Sequence, residues 1–196
     1  MDKISTRLTD YYISKNYIPK QKRDIYIYGF KLIIADIINF SIIILLGCLL
    51  RKLPESIMFL ITLCGLRQFT GGFHAKTFWL CRLSMVITFI SVMVISSLII
   101  KLPMILPIVI ILNVVCVAVI AFLASIEHPN KELTDQQRKS NKIKSIITAS
   151  VLSIIAVTLV TAISITNGVT ISITLLAVVF LMLISLVTKK GGNENV

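Results

Sequence analysis

Long apolar runs alternate with short polar punctuation along most of this chain. The runs lie at about Gly29–Leu50, Ser56–Leu66, Leu83–Ile100, Met104–Ile126, Ser145–Ile165 and Val169–Val187. Most are continuous rather than striped, and roughly 18 or more apolar residues suffice to cross a bilayer core of about 30 Å. The pattern predicts an all-α polytopic membrane protein of about six transmembrane helices. The second run is about half a span, and it enters Arg67-Gln68-Phe69-Thr70-Gly71-Gly72-Phe73-His74-Ala75-Lys76. Either its helix continues with polar residues facing a protein-lined cavity, or it breaks at membrane depth. Asp36 in the first run must face protein or water, while Lys31 can snorkel. Lys101-Leu102-Pro103 and Asn167-Gly168 read as tight turns, and Glu127–Lys144 as a polar loop.

Residues 1–28 differ in kind from the rest of the chain. Ile4, Leu8, Tyr11 and Tyr12 recur at helical spacing among Lys3, Arg7 and Lys15, and Pro19 interrupts them. This predicts an amphipathic helix along a membrane surface; a solvated leader with anchoring tyrosines is the alternative. No cleavable signal is expected here, because no small-residue cleavage site follows a short apolar core. The expected organisation is an interfacial segment over 1–28, a transmembrane domain over 29–188 and a short tail over 189–196.

Charge placement predicts the orientation. With six crossings, residues 1–28, 67–82, 127–144 and 188–196 share one side and carry 6, 3, 5 and 2 Lys and Arg. The opposite loops hold Arg51, Lys52 and Lys101. The positive-inside rule puts both termini on the cytoplasmic side of the cell membrane, with the 67–82 segment.

Composition agrees with a lipid environment. The chain is 56% hydrophobic and 15% charged, where soluble domains carry more charge. Its net charge of +11 sits between the apolar runs, next to lipid headgroups, and no nucleic-acid-binding motif accompanies it. No nucleic-acid partner is expected. Four cysteines are too scattered for a disulfide framework. Two histidines offer no zinc set, so no metal or cofactor is expected.

Cys48, Cys64 and Cys116 lie inside apolar runs, whereas Cys81 sits between Trp79 and Arg82 at a polar boundary. His74 precedes it by seven residues. On one continuous helix the two would be about 10.5 Å apart along the axis, too far for a thiol–imidazole hydrogen bond. A working pair therefore requires the chain to fold back. Gly71-Gly72 supply a pliable backbone, and Thr77 can cap a new helix that begins near Phe78 and carries Cys81 early. A thiol near a helix N-terminus, beside a cation, is stabilised as thiolate. A structural thiol and a satisfied histidine remain the bland reading of two such residues. A small transporter or channel, with the 67–74 segment lining a path, is a second functional class. A non-catalytic assembly subunit is a third.

The segment from Arg67 to Cys81 (Arg, then Gly, then His-Ala, then Cys seven residues after the His) resembles the accessory gene regulator B family, AgrB. Chain length, multi-span layout and the basic region after the fourth span are similar too. The resemblance implies a membrane cysteine endopeptidase that processes a small quorum-sensing precursor peptide. By that resemblance His74 is the general base and Cys81 the nucleophile, with Arg67 and Gly72 in supporting positions. It further implies an amphipathic, acidic-tailed, AgrD-like precursor as partner, besides the lipid bilayer, and a homodimer.

Overall fold

The computed structural model describes residues 2–70, 78–123 and 134–192. Among them every regular element is helical: α1 Asp2–Ser14, α2 Arg23–Leu49, α3 Leu53–Thr70, α4 Phe78–Ile99, α5 Ile105–Leu123, α6 Asp135–Thr158 and α7 Ile165–Gly192. A 3₁₀ turn over Lys20–Lys22 precedes α2, and a π turn over Leu159–Ile163 extends α6. The chain divides into two units, Met1–Leu46 and Gly47–Val196.

In the first unit α1 ends by a mechanism legible in its residues. Asn16 takes φ 57°, the left-handed conformation that asparagine tolerates. Tyr17 N–H then donates to Tyr12 O at 3.1 Å and Asn16 N–H to Ile13 O at 3.0 Å, a Schellman closure, with Pro19 beyond it. Two ion pairs join α1 to α2: Asp10 accepts two bonds from Arg23, at 2.8 and 3.1 Å, and Asp2 meets Lys31 at 2.6 Å. Tyr12 stacks on Phe30 with centroids 5.7 Å apart. Small Ser5 and Thr9 are buried, while Ile4, Leu8 and Tyr11 are exposed beside Lys3 and Arg7. That is the reverse of a water-facing amphipathic helix, and it suits an apolar medium outside.

The second unit is built around α7, which packs against α3, α4, α5 and α6. Its residues from Gly168 to Leu175 are all buried. Phe59 of α3 meets Phe89 of α4 edge to face at 5.3 Å. Gly168 has no room for a side chain, because an added Cβ would meet the Ala156 carbonyl oxygen and lie 2.9 Å from Val160 N. The first turn of α7 thereby approaches the α6 backbone closely. At the α2–α3 corner, Arg51 takes φ 55° and Lys52 N–H donates to Gly47 O at 2.8 Å, a second Schellman closure. Gly47 lies against Ser56, and the Lys52 ammonium donates to Ser97 Oγ at 2.7 Å, tying the corner to α4.

Among the described residues, five helices are long and apolar enough to cross a membrane: those spanning Lys20–Leu49, Trp79–Ile99, Ile105–Leu123, Gln136–Ile163 and Ile165–Leu186. The chain is thus an all-α multi-pass membrane protein. The short second run is one 18-residue helix, α3, roughly 27 Å long. Of the two alternatives for Arg67–Thr70, the helix continues.

Several boundaries shift. The first membrane helix begins at Arg23 rather than Gly29, because the hydropathy change at Gly29 does not interrupt the backbone bonds. The turn expected at Asn167-Gly168 lies at Ser164, and both residues belong to the first turn of α7. The latter part of the expected loop 127–144 is helical. Thr134 caps α6 in a reciprocal box with Gln137, so Arg138, Lys139, Lys142 and Lys144 stand on a helix. α7 likewise continues through Lys189–Gly192, where a tail was expected.

Candidate functional site

Cys81 lies at the start of α4, the fourth residue of a helix that begins at Phe78 as the sequence suggests. It is half-buried, and none of the four cysteines is in a disulfide. Aligned peptide dipoles at a helix start favour negative charge within the first turn. The next turn is tied down: Ser84 Oγ donates to the Cys81 carbonyl at 2.8 Å, and Thr88 Oγ1 to the Ser84 carbonyl at 2.7 Å. Arg82 places its guanidinium carbon 5.8 Å from the Trp79 ring centroid.

The Phe59–Phe89 contact sets the height of Arg67 relative to Cys81. α3 and α4 run in opposite directions past that pair, and Arg67 and Cys81 are each eight residues from it toward the same end. Both therefore stand about 12 Å from the aromatic contact, at one level of the bundle. α6 reaches that end as well. Gly65 faces Thr148 at 3.9 Å, and Lys144 Nζ lies 5.8 Å from the Phe69 ring centroid. The result is a basic end in which Arg67, Arg82 and Lys144, from three helices, share the level of Cys81; Cys64, also half-buried, lies one turn from Arg67 on α3.

His74 and Gly72 lie outside the described residues, as do Thr77 and His128. Asp36, expected to face protein or water, is exposed on α2 in the first unit. The α6 cations at this end were not singled out by sequence. The signal was present in Thr134-x-x-Gln137, a capping pattern that announces a helix before the apolar run starts.

These features define a polytopic helical membrane protein with a half-buried cysteine, Cys81, in the first turn of a helix at a basic end of the bundle. The accessory gene regulator B family matches residues 5–186, and the chain belongs to that family, one of quorum-sensing processing proteins. A stretch of 58 residues is 36% identical to Protein FsrB of Enterococcus faecalis (strain ATCC 47077 / OG1RF). That stretch covers 30% of this chain and 24% of the relative, so the relative's length is spanned only in small part. No solved structure matches the chain.

Proposed function

We propose that this chain is a cysteine endopeptidase of the cytoplasmic membrane that removes the C-terminal tail of a small AgrD-like precursor and promotes its cyclisation. Cys81 is the nucleophile, His74 the general base, and both act on the cytoplasmic side with the termini. The observation that carries this reading is the position of Cys81: first turn of α4, half-buried, level with Arg67, in a chain matched by the family over residues 5–186.

The chemistry is two acyl transfers. His74 takes the thiol proton, and the Cys81 thiolate adds to the carbonyl carbon of the scissile peptide bond. The tetrahedral adduct collapses, the C–N bond breaks, and the tail leaves as an amine carrying the proton from His74. The remaining peptide is a thioester on Cys81. An internal Cys or Ser of that peptide gives its proton to His74 and attacks the thioester carbonyl; the bond to the Cys81 sulfur breaks, a thiolactone or lactone closes, and the Cys81 thiolate is released to regain the proton from His74. Holding that internal nucleophile nearby gives the effective concentration that favours ring closure, and exclusion of water protects the thioester.

Arg67 grips a substrate carboxylate or steadies the oxyanion, and backbone N–H groups near Gly72 donate to it. α1 lies on the lipid surface by its exposed Ile4, Leu8 and Tyr11.

Co-expression with an acidic-tailed precursor, read by mass spectrometry, tests the assignment. The native chain and Cys64→Ala release the tail, and Cys81→Ala does not. Equal release by Cys81→Ala removes Cys81 from the mechanism.

A further inference from the structure

Hydroxyl groups inside this bundle fall into two sets. Thr70, Thr88, Ser97, Thr170, Ser172 and Thr174 donate back to the carbonyl four residues earlier, at 2.7–3.1 Å. The buried oxygens of Thr62, Ser96 and Ser153 have no such bond, although their helices offer the same carbonyls. Asn113 is the extreme case. It is 2% exposed, midway along α5, and neither its amide nitrogen nor its amide oxygen has a protein partner.

An amide buried with its two donors and its acceptor unmet costs several kcal/mol in an apolar medium, so in a membrane bundle it is expected to have a partner. Topology says where that partner lies. α5 packs on α6 and α7, so a residue of α5 that is nearly inaccessible faces those two helices. Ser153 comes from α6, and Thr170, Ser172 and Thr174 come from the enclosed stretch of α7. Each α7 hydroxyl has donated its hydrogen to its own helix and keeps its lone pairs as acceptors. Thr62 of α3 is buried too, on a helix that packs against α6 and α7. Counting along each helix from the end with the short turns, Thr62, Asn113, Ser153 and the α7 hydroxyls all fall about 8–15 Å in.

We infer that the interior of the second unit holds a hydrated polar site centred on Asn113, in which bound water bridges its amide to the hydroxyls of α6 and α7. Water fits because the lining offers both donors and acceptors and no charge. The site lies toward the end opposite Cys81, and it stands or falls independently of the chemistry there.

The test uses the full chain in lipid bilayers, labelled with ¹⁵N at asparagine and cysteine, and water-edited solid-state NMR. The Asn113 side-chain resonance is identified by its loss in Asn113→Leu or, should that variant not assemble, in Asn113→Ser. The expected result is transfer from water to the Asn113 side chain several-fold faster than to the backbone amide of Cys116, which is one turn away and 1% exposed. Equal, slow transfer to both overturns the inference. A second reading comes from thermal unfolding. Asn113→Leu displaces the bridging water and strands Ser153, so the melting temperature falls. A temperature unchanged or raised marks a dry, orphaned amide and overturns the inference as well.

Discussion

At one end of the second unit the helices are joined by links of one to five residues. At the other, seven residues separate α3 from α4 and eleven separate α5 from α6. The short-link end is held by close packing, a backbone closure and a side-chain bond: Gly47 against Ser56, Gly168 against α6, Arg51 in a Schellman closure and the Lys52 ammonium on Ser97. The long-link end carries Arg67, Arg82, Lys144 and the half-buried Cys81. Fixed turns at one end set helix positions, and on the proposed function the other end carries the side chains that react or bind. The difference predicts that substitutions at the first end cost stability, and those at the second cost activity.

The largest expected effect separates the two ends most sharply. Cys81→Ala lowers tail release by roughly 10³-fold or more while the melting temperature stays near that of the native chain. Release kinetics and thermal unfolding of the same preparation check both halves.

Next is the closest backbone approach. Gly168→Ala forces a methyl against the α6 backbone and destabilises by about 1–3 kcal/mol. Gly29→Ala, where nothing lies within 4 Å, is the control, expected to raise stability by up to about 1 kcal/mol because alanine is the better helix former, and unfolding in detergent compares them. A silent Gly168→Ala would break the claim that the short-link end is held by close packing.

A smaller effect of opposite sign is expected at Arg51. A non-glycine residue at φ 55° pays about 1 kcal/mol in the left-handed region, so Arg51→Gly raises stability by about that amount. The same unfolding measurement reads it.

The smallest belongs to the first unit. The hydrogen bond from Arg23, aided by its charge, holds the Asp10 carboxyl below the ordinary carboxylate range. A depressed acid contributes its stabilisation above the unfolded value and loses it as pH falls through the folded one. Amide-exchange protection in α1 is therefore expected to hold at neutral pH and to weaken under acid, and Asp10→Asn removes part of that acid sensitivity. Because the pair is exposed, the change is slight.

Much of this fold was legible because lipid leaves a coarse signature, and apolar runs of span length announce membrane helices directly. Helix ends were harder. Hydropathy marked Gly29 and Ser145 as starts, yet α2 begins at Arg23 and α6 at Asp135, since backbone bonding continues into polar residues. Asn167-Gly168 looked like a turn, but that glycine serves a close helix approach. The start of α4 just before Cys81 was readable from the residues around Thr77. Asn113 was not, because one amide disappears in an apolar run whose every face is greasy, and only packing reveals which face is enclosed.

The most direct test of the central claim is intact-mass and peptide mapping of the native chain with a precursor whose internal nucleophile is replaced by alanine. Ring closure is then blocked while cleavage proceeds. The expected result is a hydroxylamine-labile acyl adduct on the Cys81 peptide, with the mass of the precursor less its tail. Released tail with no adduct on Cys81, or an adduct on another cysteine, would contradict it.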